Sequence, residues 1–551
     1  MTIVFRPIGS ERIITFCFLM MASLASAQLD FLQISPGFGF SSMNAEVAQD
    51  SVLYAQGTMS EYLDWNGERI FQGQGDDIFF LASDKKGKPI WYSSYGGGGV
   101  ERITTRPYLQ EAGDLWLFHG DAIDSLNIDG VRYRPSVSSF FSFVGYQQVD
   151  GTGIRTFAFE SEGPLEVSAA SWVPGSNDFY LAGRAEAPIL HSGDTLVRGI
   201  NSPYGYLIRM DTSFAVLNAK IIAGEVRPFD LLILDSNLYL GANVRDSVLL
   251  EGEMIQARVQ DFDCLVIGFD ADSVSLHWHQ LLGGVYDKNG VRVLSGWAPG
   301  NVLVSGDFIG VIGDGEGRSF ESNGFDPDLF FWEFTPSGET VRGLATGSPG
   351  NEIFVDARMD IDRLGILIEF SEMAEIFDQQ FPAREDGRHI GIFSVNDEET
   401  AQIEQIFLGA PVALGFDLWK WNGQWGMLGG FGEKLLDQDG RVLLEDMGSG
   451  QIDYFIWPVE GTTNVKDAVA IGIKVYPNPF HDRIIVEMPF GQQNDLTYRI
   501  NDIMGRSVKS GIIMNTREQI DLSQINGSGI YILEISRNGI SVLSNLIFKQ
   551  R

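Results

Sequence analysis

The feature that most constrains the fold is a short apolar segment that recurs along the chain. The stretch DIFFLASD (77–84) has six relatives, and the copies follow one another at a nearly constant spacing. The relatives are FFSFVGYQ (140–147), YGYLIRMD (204–211), DCLVIGFD (263–270), DLFFWEFT (328–335), HIGIFSVN (389–396) and DYFIWPVE (453–460). Self-similarity at a fixed period of this length indicates a repeat architecture, either a solenoid or a propeller.

Two further landmarks keep the same period. A strand-like segment precedes each copy at a nearly constant interval and usually ends in glycine, as in VLYAQG (52–57) and VLVSG (302–306). A turn dipeptide follows that segment in five of the repeats. These dipeptides are Asn66-Gly67, Asp129-Gly130, Ser192-Gly193, Glu251-Gly252 and Asp439-Gly440. Such pairs tolerate the positive φ angles of a two-residue hairpin turn.

Each repeat is predicted to hold four short strands: the Gly-ended strand, a strand after the turn, the aromatic strand and a last one such as KPIWYSS (88–94). The seventh repeat lacks this last strand, whereas LDFLQIS (29–35) at the other end of the chain has its pattern. We therefore predict an all-β chain in which residues 28–460 form a seven-bladed β-propeller, with blades of about 62 residues closed by the N-terminal strand. A linear β-solenoid is the alternative, and it would need capping ends instead.

The repeats also resemble a known family. The spacing and the GxDxFφφ…G…W…GG pattern of repeats one, four and five are similar to the SBBP-type bacterial β-propeller repeats, across about residues 29–460. The resemblance implies a fold and no particular activity.

The N-terminal stretch 1–27 has the pattern of a signal peptide. A weakly basic start precedes the apolar run IITFCFLMMASL (13–24), and Ala25 and Ala27 are the small residues that a signal peptidase requires. We expect cleavage after Ala27. No later apolar run is long enough to span a bilayer as a helix, so no transmembrane anchor is predicted.

The net charge limits the classes of binding partner, and the cysteine content limits the thiol chemistry. The net charge is −34; the stretch 1–27 carries +1 and the stretch 464–551 carries +2, which leaves −37 on the segment between them. A segment this acidic repels nucleic acid and anionic membranes. After signal removal Cys264 is the remaining cysteine, and its apolar strand predicts a buried, inert thiol.

The C-terminal residues follow a different design. After a polar linker at 461–471, residues 472–551 show some seven short strands, the pattern of a small Ig-like β-sandwich. The order YPNPF (476–480), DIMGRSV (502–508) and IDLSQINGSGIYILEI (520–535), with a lysine near the end, resembles the type A C-terminal sorting domain of the Bacteroidetes type IX secretion system.

That resemblance implies a role for specific residues and a route for the chain. The positions that match the family motif are Tyr476, Pro477, Asn478, Pro479, Gly505, Arg506, Gly529, Tyr531 and Lys549. The final FKQR departs slightly from the family pattern. The family implies passage by Sec, recognition of the sandwich by the outer-membrane translocon, and a body left on the cell surface or released into the medium.

Candidate chemistry in the body is sparse. His277 and His279 are predicted on one face of a strand, which is half of a metal site or a pair of structural histidines. The stretch GDGEGRSFESNGFDPD (313–328) concentrates five acids that could bind Ca²⁺, although an acidic solvated loop is the simpler interpretation. Otherwise no cofactor is predicted and catalytic residues stay unknown.

We expect a non-catalytic binding or interaction module for an extracellular glycan or protein. The alternatives are an extracellular glycosidase or lyase that uses scattered acidic residues, and a structural surface-layer component. An enzyme should bring carboxylates or histidines from different blades into one deep pocket.

Overall fold

The computed structural model describes residues 32–549 with interruptions. The interruptions are 37–41, 48–51, 66–67, 73–75, 85–86, 97–99, 104–106, 111–113, 137–139, 200–201, 349, 361–362, 372–373, 378, 382–386, 422–423, 439, 446–451, 458–473, 477–479, 488–495, 503–506, 514, 516, 525–528 and 538–539. The described residues form β-strands and connecting segments and no helix, which confirms the all-β class. The predicted signal peptide and linker lie outside the described residues.

The chain divides into two compact units, a body at Phe31–Val459 and a second unit that contains the C-terminal residues. In the body, a four-strand antiparallel sheet recurs, and we number its occurrences as units 1 to 7. Unit 1 comprises Ser42–Val47, Leu53–Met59, Asp77–Ser83 and Pro89–Tyr95; unit 2 comprises Val100–Ile103 with Tyr108–Leu109, then Leu115–Ile123, Phe140–Gln148 and Arg155–Phe159. Unit 3 comprises Leu165–Trp172, Asp178–Ala185, Tyr204–Asp211 and the first part of Val216–Leu234; unit 4 comprises the rest of that strand, Asn237–Leu250, Asp263–Asp270 and Leu276–Leu282. Unit 5 comprises Lys288–Ser295, Val302–Phe308, Asp328–Phe334 and Thr340–Thr346; unit 6 comprises Glu352–Asp360, Arg363–Phe370, His389–Asn396 and Ala401–Ala410; unit 7 comprises Ala413–Trp421, Gln424–Phe431, Asp453–Trp457 and Leu32–Pro36.

The prediction was wrong for one of the four strands in each unit. The predicted strand after the turn dipeptide does not lie between the Gly-ended and aromatic strands, because those two pair directly, as Gly57 does with Phe79. The first strand is instead the segment before the Gly-ended strand, such as Ser42–Val47. The turn dipeptide belongs to a small hairpin in the connection between the second and third strands, and in unit 4 the second strand itself forms one side of this hairpin.

These hairpins have the backbone that their turns predict. Asp129, Ser192 and Glu251 have φ between 50° and 51°, and the glycines that follow them have φ between 75° and 90°. The hairpin strands are Tyr62–Trp65 with Glu68–Gln72, Leu126–Ile128 with Val131–Tyr133, Ile189–His191 with Asp194–Val197, Glu253–Gln256 with the end of Asn237–Leu250, Val311–Gly313 with Ser319–Glu321, Ala374–Ile376 with Gln379–Phe381, and Lys434–Leu436 with Val442–Glu445.

The N-terminal strand completes unit 7, as predicted. Leu32, Gln33 and Ile34 pair with Ile456, Phe455 and Tyr454 in antiparallel register. On its other edge the same strand pairs with the hairpin of unit 1, where Ile34 lies opposite Trp65. The hairpin of unit 7 extends the fourth strand of unit 6 in the same way. Neighbouring units are therefore joined by backbone hydrogen bonds as well as by side chains.

Cores lie between neighbouring sheets. The second and third strands of the units are buried on both faces, so apolar side chains of one unit pack on those of the next. The first strand of each unit contacts the preceding unit, and the series returns to its start because the first strands of units 7 and 1 contact each other. The body is thus propeller-like in the order of its contacts.

The C-terminal unit contains seven described strands in two sheets. One sheet holds Lys474–Tyr476, Arg483–Glu487 and Arg517–Asp521, and the other holds Leu496–Asp502, Ser507–Ile513, Gly529–Arg537 and Ile540–Lys549. Buried residues of both sheets share one core, which includes Ile484, Ile500 and Leu533.

Candidate functional site at the junctions between units

Three buried aspartates on first strands connect neighbouring units. Asp230, Asp356 and Asp417 each follow a β-bulge, which turns the carboxylate toward the next unit. Their Oδ2 atoms accept hydrogen bonds from Val293 N at 3.0 Å, Leu418 N at 2.8 Å and Ala45 N at 2.9 Å, respectively. These carboxylates are committed to holding the units together.

A second row of ionisable groups lies where a first strand begins beside the third strand of the preceding unit. One backbone hydrogen bond marks equivalent positions at three such junctions. Glu101 N donates to Asp76 O at 3.0 Å, Lys288 N to Phe262 O at 2.9 Å, and Glu352 N to Pro327 O at 3.2 Å. The residue after each acceptor is an aspartate: Asp77, Asp263 and Asp328.

The other described junctions show the same positions without an acid. The strand registers identify the matching residues, named here as the third-strand residue followed by the first-strand residue of the next unit. They are Phe141 with Leu165, Tyr204 with Val226, and His389 with Ala413. Among these six junctions, the first-strand position is ionisable only where the matching third-strand position is an aspartate. The two positions therefore belong to one local arrangement.

The junction of units 4 and 5 holds a buried ion pair. Lys288 Nζ lies 3.9 Å from Asp263 Oδ1, and both side chains are almost fully buried. The same ammonium donates to Val285 O at 2.9 Å and to Tyr286 O. Burial lowers the pKa of Lys288 to about 8, although Asp263 opposes the change. The ammonium and the carboxylate stabilise each other's charge in a site that water does not reach.

The junction of units 5 and 6 places a second carboxyl where Lys288 would be. Asp328 Oδ2 accepts hydrogen bonds from Asn323 N at 2.9 Å and Asn323 Nδ2 at 3.3 Å, whereas Asp328 Oδ1 is buried without a hydrogen-bond partner. Glu352 accepts a hydrogen bond from Ser348 Oγ. Burial, with the charges of neighbouring aspartates, raises the pKa of Asp328 to about 6 and that of Glu352 to about 7.

The junction of units 1 and 2 repeats this arrangement. Both carboxylate oxygens of Glu101 are buried and have no hydrogen-bond partner. Burial, together with the charges of Asp77 and Asp76, raises the pKa of Glu101 to about 7. Two of the three acidic junctions therefore lack the lysine that the third one has.

A cleft opens at the junction of units 5 and 6, and we call it the Asp328 cleft. It has a volume of about 360 Å³ and is lined by Phe320, Glu321, Asn323, Asp328, Ala345, Thr346, Gly347, Glu375 and Phe377. A Cβ atom on Gly347 would lie 2.2 Å from Asp328 Oδ1, so glycine is required for the carboxylate to keep this position.

A second cleft, the Asp121 cleft, lies between units 2 and 3. Its volume is about 470 Å³, and its lining combines Asp121, Glu162, Glu166 and Arg184 with Phe140. Burial raises the pKa of Asp121 to about 6, against the hydrogen bond from Ser142 at 2.7 Å. Arg184 forms ion pairs with Glu186 at 2.7 Å and with Glu225 at 3.2 Å.

The residues that the sequence suggested for metal binding do not converge. His277 is exposed and falls at a β-bulge that breaks the alternation of the strand, while His279 lies 3.9 Å from Glu253. Asp314 Oδ1 accepts hydrogen bonds from the backbone N–H groups of Glu316 and Arg318, so it closes a hairpin turn. Within the described residues, no group of three or more His, Cys, Asp or Glu could hold a metal ion.

Cys264 is buried and free, as predicted. Desolvation raises the pKa of its thiol well above the usual value, so the thiol stays protonated and unreactive at neutral pH.

The sequence analysis missed the junction acids. A signal was present, because Glu101, Lys288 and Glu352 each follow the aspartate of the preceding aromatic segment at an almost constant offset along the chain. Only a comparison of the repeats at that offset would have found it.

The motif residues of the C-terminal unit are partly described. Tyr476 donates a hydrogen bond to Glu487, Tyr531 is buried in the core, and Lys549 Nζ donates to Leu522 O at 3.0 Å. Gly529 lies opposite Lys549 in the sheet. These contacts give each residue a structural role in the sandwich. Ala25, Ala27, Pro477, Asn478, Pro479, Gly505 and Arg506 lie outside the described residues.

Residues 474–549 match the family model described as the secretion system C-terminal sorting domain. The fold and the tail together define an all-β exported protein with a propeller-like body. No curated protein matches the chain.

Several solved structures are similar over most of the chain. Quinohemoprotein alcohol dehydrogenase from Comamonas testosteroni is 9% identical, with 82% of this chain and 79% of that chain covered and a TM-score of 0.33. Drosophila semaphorin 2a is 8% identical, with 94% and 97% covered and a TM-score of 0.34. PorZ, a surface component of the type IX secretion system of Porphyromonas gingivalis, is 12% identical, with 94% and 100% covered and a TM-score of 0.14. Scores this low carry no argument about function.

The tail determines where the chain goes. A sorting domain of this family directs export by type IX secretion to the cell surface or the extracellular space, and it interacts with the secretion machinery. In the described part of the chain, no helix has the length and apolarity needed to cross a membrane.

Proposed function

We propose that this chain is an exported binding protein: a seven-bladed β-propeller at 28–460, an Ig-like sorting sandwich at 472–551, and a signal peptide at 1–27. The units are its blades, and the SBBP-type resemblance of the repeats supports the same interpretation. The recurrent four-strand pairing and the N-terminal strand in unit 7 support the closed ring. The Ca²⁺ site at 313–328 stays a prediction.

One observation carries the binding role. The Asp121 and Asp328 clefts both open between consecutive units at the edge where third strands begin, and both combine charged groups with aromatic walls. Clefts that mix apolar walls with a few polar groups are the usual form of ligand sites. The buried aspartates on the first strands, Asp230, Asp356 and Asp417, are engaged in contacts between units, which favours binding over catalysis.

The test is a panel of extracellular glycans and peptides presented to the purified, exported protein. We expect saturable binding without chemical change of the ligand, and mass spectrometry of the ligand after incubation verifies that it is unchanged. If no ligand of the panel binds, the proposed binding function is wrong.

The sorting role has its own test, a deletion of residues 472–551. We expect the body to accumulate in the periplasm, because the translocon no longer recognises it. Cell fractionation measures this, and normal surface display of the truncated chain would refute the assignment.

A second candidate function, a glycosidase or lyase, is favoured by one feature. Asp121, with its pKa near 6, shares a cleft with Glu166, and such a pair could serve as a general acid and a base or nucleophile. If the panel reveals cleavage, Asp121→Asn should reduce the rate by at least about a hundredfold. An unchanged rate in that variant would exclude the Asp121 cleft as the active site.

A further inference from the structure

We propose that the Asp328 cleft binds an organic cation, an ammonium or a guanidinium group, at the position that the protein itself fills with lysine one junction earlier. This inference rests on the proposed binding function and names the chemistry of the ligand at one of its clefts.

The first argument is the internal comparison. Asp263 and Asp328 occupy the same position in units 4 and 5, and the same backbone hydrogen bond fixes the residue across each junction. Lys288 supplies the cation to Asp263, whereas Glu352 adds a negative charge beside Asp328. A buried carboxylate without a cation is costly, so a ligand that brings one gains the interaction that the fold omits.

The second argument is the free acceptor. Asp328 is 3% exposed, its Oδ2 is used by Asn323, and its Oδ1 has no hydrogen-bond partner. Because Asp328 is part of the cleft lining, a donor that enters the cleft lies next to this residue, and a small side-chain movement brings Oδ1 into contact with it. The donor would form a charge-assisted hydrogen bond, which is about twice as strong as a neutral one.

The third argument is the charge around the cleft. The carboxyl groups on the elements that face Asp328 are Glu321, Glu375, Asp326 and Glu352. The nearby Arg318 is engaged elsewhere, since its guanidinium lies 3.7 Å from Asp314 and donates to Thr340 O at 3.1 Å. The field inside the cleft therefore favours a cation.

The aromatic walls of the Asp328 cleft can pack against the alkyl chain that carries the cationic group. Phe320 and Phe377 are half-buried members of the lining, and Phe320 packs edge-to-face on Trp332. Aromatic faces attract ammonium and guanidinium groups and pack on the alkyl chains that carry them.

Calorimetric titration of the full-length exported protein with agmatine and cadaverine is the experiment, and 1-pentanol is the uncharged control. We expect both cations to bind and pentanol not to bind. Asp328→Asn should weaken agmatine binding at least tenfold because it removes the charge. Glu352→Lys should abolish agmatine binding, because the new lysine reproduces the Lys288 arrangement and neutralises Asp328 from within.

The matched control is Glu101→Gln, which alters the equivalent acidic junction outside the Asp328 cleft and should leave agmatine affinity unchanged. Tryptophan fluorescence melts verify that each variant is folded. Agmatine affinity should rise as the pH increases from about 5 to about 7.5, because Asp328 and Glu352 ionise in that range.

Peptides that carry one arginine or lysine identify the source of the cation. A peptide that binds at least tenfold more tightly than agmatine assigns the cleft to a protein partner, and equal affinity assigns it to a small amine. Absence of cation binding, unchanged affinity in Asp328→Asn, or displacement of agmatine by millimolar Ca²⁺ would each overturn the inference. Panel ligands that still bind the Asp328→Asn protein would leave the general binding function intact.

Discussion

Two junctions of the same body solve one electrostatic problem differently. Where units 4 and 5 meet, Lys288 accompanies a buried aspartate, and where units 5 and 6 meet, Glu352 stands in its place. The same backbone hydrogen bond forms at both junctions, but the residue that donates it is lysine at one and glutamate at the other. The comparison teaches that, where an aspartate begins the third strand, the residue across the junction decides between a sealed contact and an open acceptor.

The largest expected effect comes from breaking the sealed junction. Lys288→Met keeps the length of the side chain but leaves Asp263 buried without its cation, which should lower the free energy of unfolding at pH 7.5 by about 3 kcal/mol. Urea denaturation followed by tryptophan fluorescence measures this, because all eleven tryptophans lie between Trp65 and Trp457, within the body. Adding Asp263→Asn should recover most of the loss; a double variant as unstable as the single one would show that packing and not charge holds this junction.

A smaller effect is expected from neutralising the junction of units 1 and 2. Because the pKa of Glu101 is about 7 in the fold and about 4.5 in an unfolded chain, the folded state binds the proton more tightly. Its contribution to stability is therefore greatest below pH 4.5, declines as the pH rises to about 7, and is constant above that.

Glu101→Gln removes this decline. The variant should equal the natural protein in stability near pH 4.5 and exceed it by about 2 kcal/mol at pH 8. Parallel urea curves at the two pH values provide the measurement. A variant that is less stable at pH 8 would mean that Glu101 has a cationic partner after all.

The smallest expected effect comes from replacing the glycine that lies beside the aspartate at each of the two junctions. Gly347→Ala would place a Cβ 2.2 Å from Asp328 Oδ1, while Gly283→Ala would place one 3.5 Å from Asp263. We expect Gly347→Ala to cost about 1 kcal/mol and Gly283→Ala to stay within about 0.5 kcal/mol of the natural protein. Thermal melts of both variants, side by side, test this, and equal costs would contradict the difference in carboxylate position.

Much of the fold could be predicted from the sequence because it depends on local patterns. The aromatic third strands and most fourth strands begin at or next to the positions where the patterns placed them. The positive φ angles at Asp129, Ser192 and Glu251 follow from dipeptides that permit them. The pairing of the N-terminal strand with unit 7 followed from counting strands, although Gln33 and Asp453, to which it donates a hydrogen bond, lie at opposite ends of the body.

The rest depends on contacts that no local pattern encodes. First strands were overlooked because their β-bulges, as at Asp356 and Asp417, interrupt the alternation of apolar residues. The junction acids belong to different units and meet only after the sheets pack. The acids of the loop at 313–328 are close in sequence, but Asp314 and Asp328 accept hydrogen bonds from different segments of it.

The most direct test of the equivalence between the two junctions is a crystal structure of the Glu352→Lys protein. If the junctions are equivalent, the new ammonium should lie about 4 Å from Asp328 Oδ1, with its backbone N–H still bonded to Pro327 O, because a buried carboxylate and ammonium stabilise each other. A lysine turned into solvent, or a unit 6 displaced from unit 5, would contradict it.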